Sequence, residues 1–334
     1  MSSRRAATHS CLVVCPPGLE SVVSDELADL GIRALRSSKG AVSADMTTRQ
    51  LYAANVFLRC ATRILVRVAG FTVRTFADLE RRIAEVEWDY WIGAGDSPRF
   101  RVTSRNSELW HDGAVAQRFE TALGSPVPGA REQLVVVRAV NDRFTVSVDS
   151  SGAPLHERGW RQAIAKAPLR ESVAAGLLVA AGWDRTTPLV DPMCGSGTIA
   201  IEAALIAAGV APAAGRELAF RFWPGFEPGT WASVAAEIQN LRSEAGDPPR
   251  IVAVDRDAGA VDSARANAER AGVADLIEWR TAPIAELEPP DGPGGRPGLL
   301  VANPPWGGRL DGGDMRNLYA TLGRVASEGF GGWS

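Results

Sequence analysis

Asp191-Pro192-Met193-Cys194-Gly195-Ser196-Gly197-Thr198 follows a short apolar run, Pro188-Leu189-Val190, and precedes a helical stretch over 199–208. Strand, glycine turn and helix in that order let a ligand come close to the backbone, because glycine carries no Cβ. A lone G-x-G is weak evidence, and the flanking elements give it weight. The next strand, Ile251-Val252-Ala253-Val254, ends in Asp255, where a carboxylate can accept hydrogen bonds from both hydroxyls of a ribose. Asp255 stands much further from Gly197 than the roughly 20 residues of a dinucleotide site. An inserted segment over 216–247 accounts for the gap. A helix at 259–271, a strand at 276–279, a Pro/Gly-rich loop at 289–297 and a strand at 299–302 continue the alternation. This predicts an α/β fold, a parallel doubly wound sheet of Rossmann-like type. Asp191 and Asp255 also suit plain capping of turns and helices. Asp191 has a further reading, as the carboxylate that holds an amino group of the ligand.

The strand at 299–302 runs into Asn303-Pro304-Pro305-Trp306. An exocyclic amine on a nucleobase is a poor nucleophile because its lone pair is delocalised into the ring. The Asn303 side-chain carbonyl and the Pro304 backbone carbonyl can each accept one N–H, which favours a pyramidal nitrogen. Pro304 and Pro305 stiffen the loop by fixing φ. Trp306 can stack on a base for about 1–3 kcal/mol, and Gly307 and Gly308 leave room for the ring. The alternative is an ordinary turn with a buried tryptophan. Taken with the glycine turn, these residues point to methyl transfer from S-adenosylmethionine to a nucleobase nitrogen, with positioning as the main source of acceleration.

The remaining features bound the function. A chain of 334 residues with 46% apolar and 22% charged residues has room for two domains and an ordinary soluble composition. No apolar run approaches a membrane span, and the run Cys11 to Cys15 is too short for a signal peptide. A cytoplasmic protein with reduced thiols is expected. Cys11, Cys15, Cys60 and Cys194 show no zinc-type spacing, so no metal is expected. Cys194 reads as a small packed residue of the turn rather than as a nucleophile. The net charge of −3 hides an asymmetry: residues 1–170 carry 23 Lys and Arg against 18 Asp and Glu, and residues 171–334 carry 13 against 21. The positive half is the better candidate for phosphate contact, although a solvated surface explains the excess as well.

Residues 11–15, 32–35, 41–44, 64–68, 99–103, 133–140 and 144–148 read as strands, the last two paired across Asn141-Asp142. Helices are expected at 18–31, 47–60 with Thr47 as cap, 76–86 with Thr75 as cap, and 114–123. This is an α+β pattern. The turn-rich stretch 149–158 marks a domain boundary, followed by a linking helix from about Pro168 to Ala181.

Together these residues resemble the THUMP-domain RNA guanine-N2 methyltransferases, whose bacterial members act on 23S ribosomal RNA and whose archaeal and eukaryotic members act on transfer RNA. Cys15-Pro16-Pro17-Gly18-Leu19-Glu20 resembles the family's start. Leu155-His156-Glu157-Arg158-Gly159-Trp160 with Ala167-Pro168-Leu169-Arg170-Glu171 resembles its connector. The stretch 191–198, Ile201-Glu202-Ala203-Ala204, and Asn303 to Trp306 match its cofactor and catalytic motifs, and Leu318-Tyr319 with Leu322-Gly323 its next helix.

The resemblance implies a ferredoxin-like region at 1–70, a THUMP RNA-binding domain at 71–150, a linker and connecting helix at 151–186, and a Rossmann-like methyltransferase domain at 187–334. It implies S-adenosylmethionine held by Asp191, Met193, Gly195, Ser196, Gly197, Thr198, Asp255 and Arg256, with Asn303, Pro304, Pro305 and Trp306 as catalytic residues. The implied partner is RNA, ribosomal RNA first and transfer RNA as the alternative. Asn-Pro-Pro-aromatic is shared with DNA adenine and protein glutamine methyltransferases, and a catalytically dead RNA-binding fragment is a further alternative.

Three departures stand out. Trp306 replaces the commoner tyrosine. Pro283 stands where an acidic residue usually meets the adenine amino group. The chain reaches Ser334 after only the fourth strand of a sheet that usually has about seven. A truncated or split gene product with an open sheet edge and an uncovered apolar face is therefore expected.

Overall fold

A computed structural model describes residues 8–162, 169–290, 296–305 and 312–334 of the chain. They form two compact units, one of residues 1–155 with 215–235 and one of residues 156–214 with 236–334.

The first unit is built on a seven-stranded sheet. Its strands are β1 (Thr8–Val14), β2 (Ala34–Ser38), β3 (Ala41–Thr47), β4 (Arg63–Thr72), β5 (Ser97–Arg105), β6 (Glu132–Val140) and β7 (Arg143–Asp149), in the order β2-β3-β1-β4-β7-β6-β5. All pairs are antiparallel except β5 with β6. The helices are α1 (Glu20–Asp29), α2 (Thr48–Phe57), α3 (Phe76–Ala84) and α4 (Asp112–Leu123).

Local chemistry sets their ends. Thr47 and Gln50 form a reciprocal capping box on α2, and the Thr75 side chain caps α3. Asn141 and Asp142 both take positive φ, the geometry of the tight hairpin turn joining β6 to β7. Period-two alternation then sends Val135, Val137, Ala139, Phe144 and Val146 into a core with Leu79, Ile83, Val115 and Phe119 from α3 and α4. The regions 1–70 and 71–150 share this one sheet, because β4 pairs with β1 on one side and β7 on the other.

Part of the inserted segment joins the first unit. Phe220 stacks on Tyr52 with ring centroids 4.2 Å apart, and the Trp223 indole N–H donates to Gln133 Oε1 at 2.8 Å. The first part of the insertion is thus packed into the first unit.

The second unit holds a parallel four-stranded sheet, β8 (Leu189–Asp191), β9 (Ile251–Asp255), β10 (Ile277–Thr281) and β11 (Leu299–Leu300), in the order β10-β9-β8-β11. Its helices include α5 (Glu171–Ala180), α6 (Thr198–Ala207), α8 (Ala258–Ala271) and α9 (Gly312–Gly329), and α7 (Pro228–Ser243) precedes β9. Pro168, the expected start of the connecting helix, lies outside the described residues. Alternate strand residues face opposite layers. Leu189, Ile251 and Ala253 pack with Ala200, Ala204, Ala264 and Ala268, whereas Val190, Val252 and Val254 pack with Val325 and Phe330. The expected uncovered apolar face is thus corrected: α9 and the residue after it cover that side. The outer edge of β11 is met by Ser334, which donates to Gly298 O and accepts from Leu300 N, each at 3.0 Å.

Candidate functional site

Strand order reverses at β8, with β9 on one side and β11 on the other. In open α/β sheets the crevice at such a switch point, beyond the carboxyl ends of the strands, is where ligands bind. Both sequence motifs leave the sheet there. The 191–198 turn follows β8. Asn303-Pro304-Pro305 follows β11, whose register sets Leu300 beside Val190 and bonds Val301 N to Val190 O at 3.0 Å. Neighbouring strands lie about 4.8 Å apart, so the two segments emerge side by side. Asn303, Pro304 and Pro305 are half-buried. Trp306, with Gly307 and Gly308, lies outside the described residues.

The turn is fixed from several directions. Gly195 and Gly197 have φ of 52° and 81°, which side-chain-bearing residues rarely adopt. A Cβ on Gly197 would also sit 2.9 Å from the Ala264 methyl, so glycine is what lets α8 approach. Cys194 N donates to Val254 O at 2.9 Å and Gly197 N to Cys194 O at 2.8 Å. Asp255 ends β9. Its Oδ2 accepts Gly195 N–H at 2.9 Å and its Oδ1 accepts Asp257 N–H at 3.0 Å. The carboxylate is thereby oriented, and each oxygen retains a lone pair for a hydroxyl donor. Ser196 and Thr198 are buried in the turn, Met193 is half-buried, and Arg256 is exposed with no polar partner among the described residues. Pro283 begins a 3-10 turn next to Ala282, whose N–H bonds Asp255 O at 3.0 Å, and it offers neither an N–H nor a carboxylate.

Asp191 is 1% exposed. Among the described residues its carboxylate accepts one hydrogen bond, a long one from Met193 N at 3.4 Å. Burial, reinforced by the charge of nearby Asp255, pushes its carboxyl up to about 7. Two carboxylates converging on a glycine cradle, one of them deeply desolvated, fit a ligand that brings positive charge and hydroxyl donors. The same burial and the same two carboxylates push the Cys194 thiol strongly up, so it remains protonated and inert.

The folded protein keeps the Asp191 proton up to about pH 7, whereas an ordinary aspartate releases it near 3.8. Between those values the folded state binds more protons than the unfolded state, so this group makes stability fall as pH rises through the window. Asp191→Asn is therefore expected to be more stable than the parent at pH 8 and about equal to it at pH 4. Melting temperatures of the ligand-free proteins at the two pH values check this, and an equal gap at both would refute the assignment.

Sequence reasoning missed the residues that hold the turn from behind. Asn267 of α8, fully buried, donates from Nδ2 to Ser196 O at 3.1 Å and accepts Gln162 N–H at 3.3 Å. Arg161 donates to Thr198 Oγ1 at 3.0 Å, and its Nε lies 3.2 Å from Glu171 Oε1. Arg158 Nε meets Glu202 Oε1 at 3.3 Å, with side chains 2% and 0% exposed. Two arginines of the connector and two glutamates of α5 and α6 thus neutralise one another behind the turn. Arg158, Glu171 and Glu202 stand in the motifs the sequence shows, Arg161 does not, and nothing in the chain signals that they pair. Among the described residues no group of three or more His, Cys, Asp or Glu is placed to hold a metal, and no helix is long and apolar enough to cross a membrane.

Residues 158–334 match the family model described as the RMKL-like methyltransferase domain, and residues 10–65 match that of the RlmL ferredoxin-like domain. The chain belongs to the RMKL-like methyltransferase domain family. Among curated relatives, proteins named Ribosomal RNA large subunit methyltransferase K/L from Chromohalobacter salexigens and Marinobacter nauticus are 34% and 31% identical over 96% and 97% of this chain. The chain spans 46% and 47% of their lengths, about half of each. Among solved structures, the protein SMU.472, in complex with SAH, superposes with a TM-score of 0.84 at 27% identity, covering 96% of this chain and 86% of that one. Family and fold together identify S-adenosylmethionine as the cofactor, which agrees with the acidic glycine cradle between β8 and β9.

Proposed function

We propose that this chain carries the site of an RNA methyltransferase that modifies the exocyclic N2 of a guanine, in large-subunit ribosomal RNA, in the cytoplasm. The observation that supports this reading is the parallel β8–β11 pairing, since the Asp191–Gly197 turn and Asn303-Pro304-Pro305 each follow one of these two strands. The names of the relatives support ribosomal RNA as the substrate. The cofactor, when bound, supplies an electrophilic methyl group on a positively charged sulfur.

The residues of the chain do the rest. Asp191 and the α6 N-terminus receive the amino-acid end of the cofactor, Asp255 its ribose hydroxyls, and Gly195, Ser196 and Gly197 allow the close backbone approach. The Asn303 and Pro304 carbonyls accept the two N–H groups of the guanine amine, drawing its lone pair out of the ring. Pro305 fixes the loop, and Trp306 stacks on the base. No strong base is required, because the amine becomes acidic only once it is alkylated.

Incubation with ribosomal RNA and radiolabelled cofactor, followed by nucleoside mass spectrometry, tests the reading. N2-methylguanosine is expected. Methyladenosine, methylation confined to DNA or protein, or RNA binding without cofactor binding would each overturn it; product found only in transfer RNA would move the substrate. Asp255→Ala is expected to weaken cofactor binding by about 1–3 kcal/mol, the worth of charge-assisted hydrogen bonds. Calorimetry checks this, and unchanged affinity would remove the ribose assignment.

A further inference from the structure

The cofactor is a linear ligand in which the amino-acid end, the sulfur, the ribose and the adenine follow in that order. In the proposed site Asp191, at the end of β8, takes the first of these, and Asp255, at the end of β9, takes the ribose. The next strand of the sheet on that side is β10, whose register sets Thr281 beside Asp255. Ligands of such sheets lie across the carboxyl ends of the strands. The base therefore falls at the end of β10, where the chain reads Thr281-Ala282-Pro283-Ile284.

Adenine is marked by its 6-amino group, which offers N–H donors. A carboxylate is the strongest acceptor a protein can set against it, and none of these four residues carries one. Ala282 N–H already donates to Asp255 O at 3.0 Å, and the Pro283 carbonyl already accepts Glu286 N–H at 3.0 Å. The carboxylates nearby in the chain are placed otherwise. Glu278 is ion-paired with Arg250 and Arg280, Asp257 caps α8, and Glu286 is exposed at the far end of the 3-10 turn. The Thr281 hydroxyl can donate as readily as accept, so it does not tell an amine from its absence. Pro283 is exposed, which opens position 6 of a base beside it to solvent. The faces of the base are better served. Ile284 is half-buried, and the exposed Arg256 brings a planar guanidinium, which stacks on aromatic rings.

We propose that this chain holds the adenine of its cofactor by the faces of the ring and leaves the 6-amino group unread, with Pro283 as the residue that sets this tolerance. Forms of the cofactor that lack the amine, or carry an alkyl group on it, then bind as well as the natural one. The proposal rests on the ribose assignment of Asp255 above and extends it from the sugar to the base. A site built to hydrogen-bond a polar group rejects the ligand that lacks it, because its own buried partner is left unpaired. A proline at that place has no partner to strand, so the rejection disappears.

Calorimetry on the full chain tests this with S-adenosylhomocysteine, its 6-deamino analogue and its N6-methyl analogue. The parent is expected to bind all three within about threefold of one another, since no hydrogen bond to the amine is lost. Pro283→Asp is expected to bind S-adenosylhomocysteine about tenfold or more tighter than the deamino analogue, the worth of a hydrogen bond to a charged group. Pro283→Ala should keep the parent's pattern. A parent that binds either analogue about tenfold or more weaker overturns the proposal, and this arm needs no variant to fold. A Pro283→Asp protein that melts like the parent yet discriminates no better overturns it too, because the base then lies elsewhere. Asp255→Ala, measured in the same series, separates the two assignments. Its weakened binding together with a discriminating parent keeps the ribose reading and removes this one. No arm uses RNA, so the guanine reading fails or stands independently.

Discussion

Asn303→Ala is expected to lower methyl transfer by at least about 10²–10³-fold, the usual cost of removing one preorganised partner of a developing charge, while cofactor affinity stays within about twofold of the parent. The reasoning separates two neighbouring segments. In the proposed site the cofactor is held by the turn after β8 and the end of β9, whereas Asn303 follows β11 on the other side of β8. Truncating its amide removes an acceptor for the amine and touches neither carboxylate. The backbone is restrained on the far side by Pro304 and Pro305 and on the near side by the Val301 bond to Val190. The loop should therefore keep its path. Asn303→Asp, which keeps an acceptor oxygen, should lose less than the alanine variant. Single-turnover transfer to RNA together with calorimetry for the cofactor reads both quantities. Turnover equal to the parent's would remove the chemical assignment, and a parallel loss of cofactor affinity would show that the residue shapes the cofactor pocket instead.

Glu202→Ala is expected to destabilise the second unit by about 3–5 kcal/mol, the cost of breaking a buried ion pair by removing one of its members. Glu202 lies on α6, every residue of which is buried, and its side chain is fully out of solvent. Arg158 opposite is 2% exposed. At about 2–4 °C per kcal/mol for a unit of this size, the melting temperature should fall by roughly 10 °C. Replacing both partners with apolar side chains, Glu202→Leu with Arg158→Met, should restore much of the loss, since a well-packed apolar pair often matches a buried ion pair. Thermal melts of the three proteins decide it. A single variant within about 1 kcal/mol of the parent would show that the pair contributes position rather than stability.

The pattern of correct and missed readings has a physical cause. Thr47, Thr75 and the Asn141-Asp142 turn act within three or four residues, so their roles are visible in the chain itself and recur in the structure. The glycine turn is likewise local, its two positive φ values arising where the sequence places glycine. Strand count alone predicts an uncovered apolar face, whereas Val325 of α9 and Phe330 cover Val190, Val252 and Val254, a contact between residues more than seventy positions apart. The inserted segment explains the spacing in the sequence, but that its Phe220 and Trp223 find partners at Tyr52 and Gln133, far upstream, is not written in contiguous residues.

By itself the sequence determined the parallel α/β alternation, the glycine cradle, the carboxylates at the ends of β8 and β9, and the Asn303-Pro304-Pro305 strand end, because each is written in contiguous residues. Only the tertiary structure decided that strand order reverses at β8, bringing the two motifs to one crevice, and that Arg158, Arg161, Glu171, Glu202 and Asn267 brace the turn from behind. It alone set Arg36, Arg67, Arg138 and Arg143 on one face of the first sheet, without a carboxylate partner among the described residues. Periodicity says which side of a strand a residue takes, but pairing across strands and the neutralisation of buried charge depend on register and packing between segments distant in the chain.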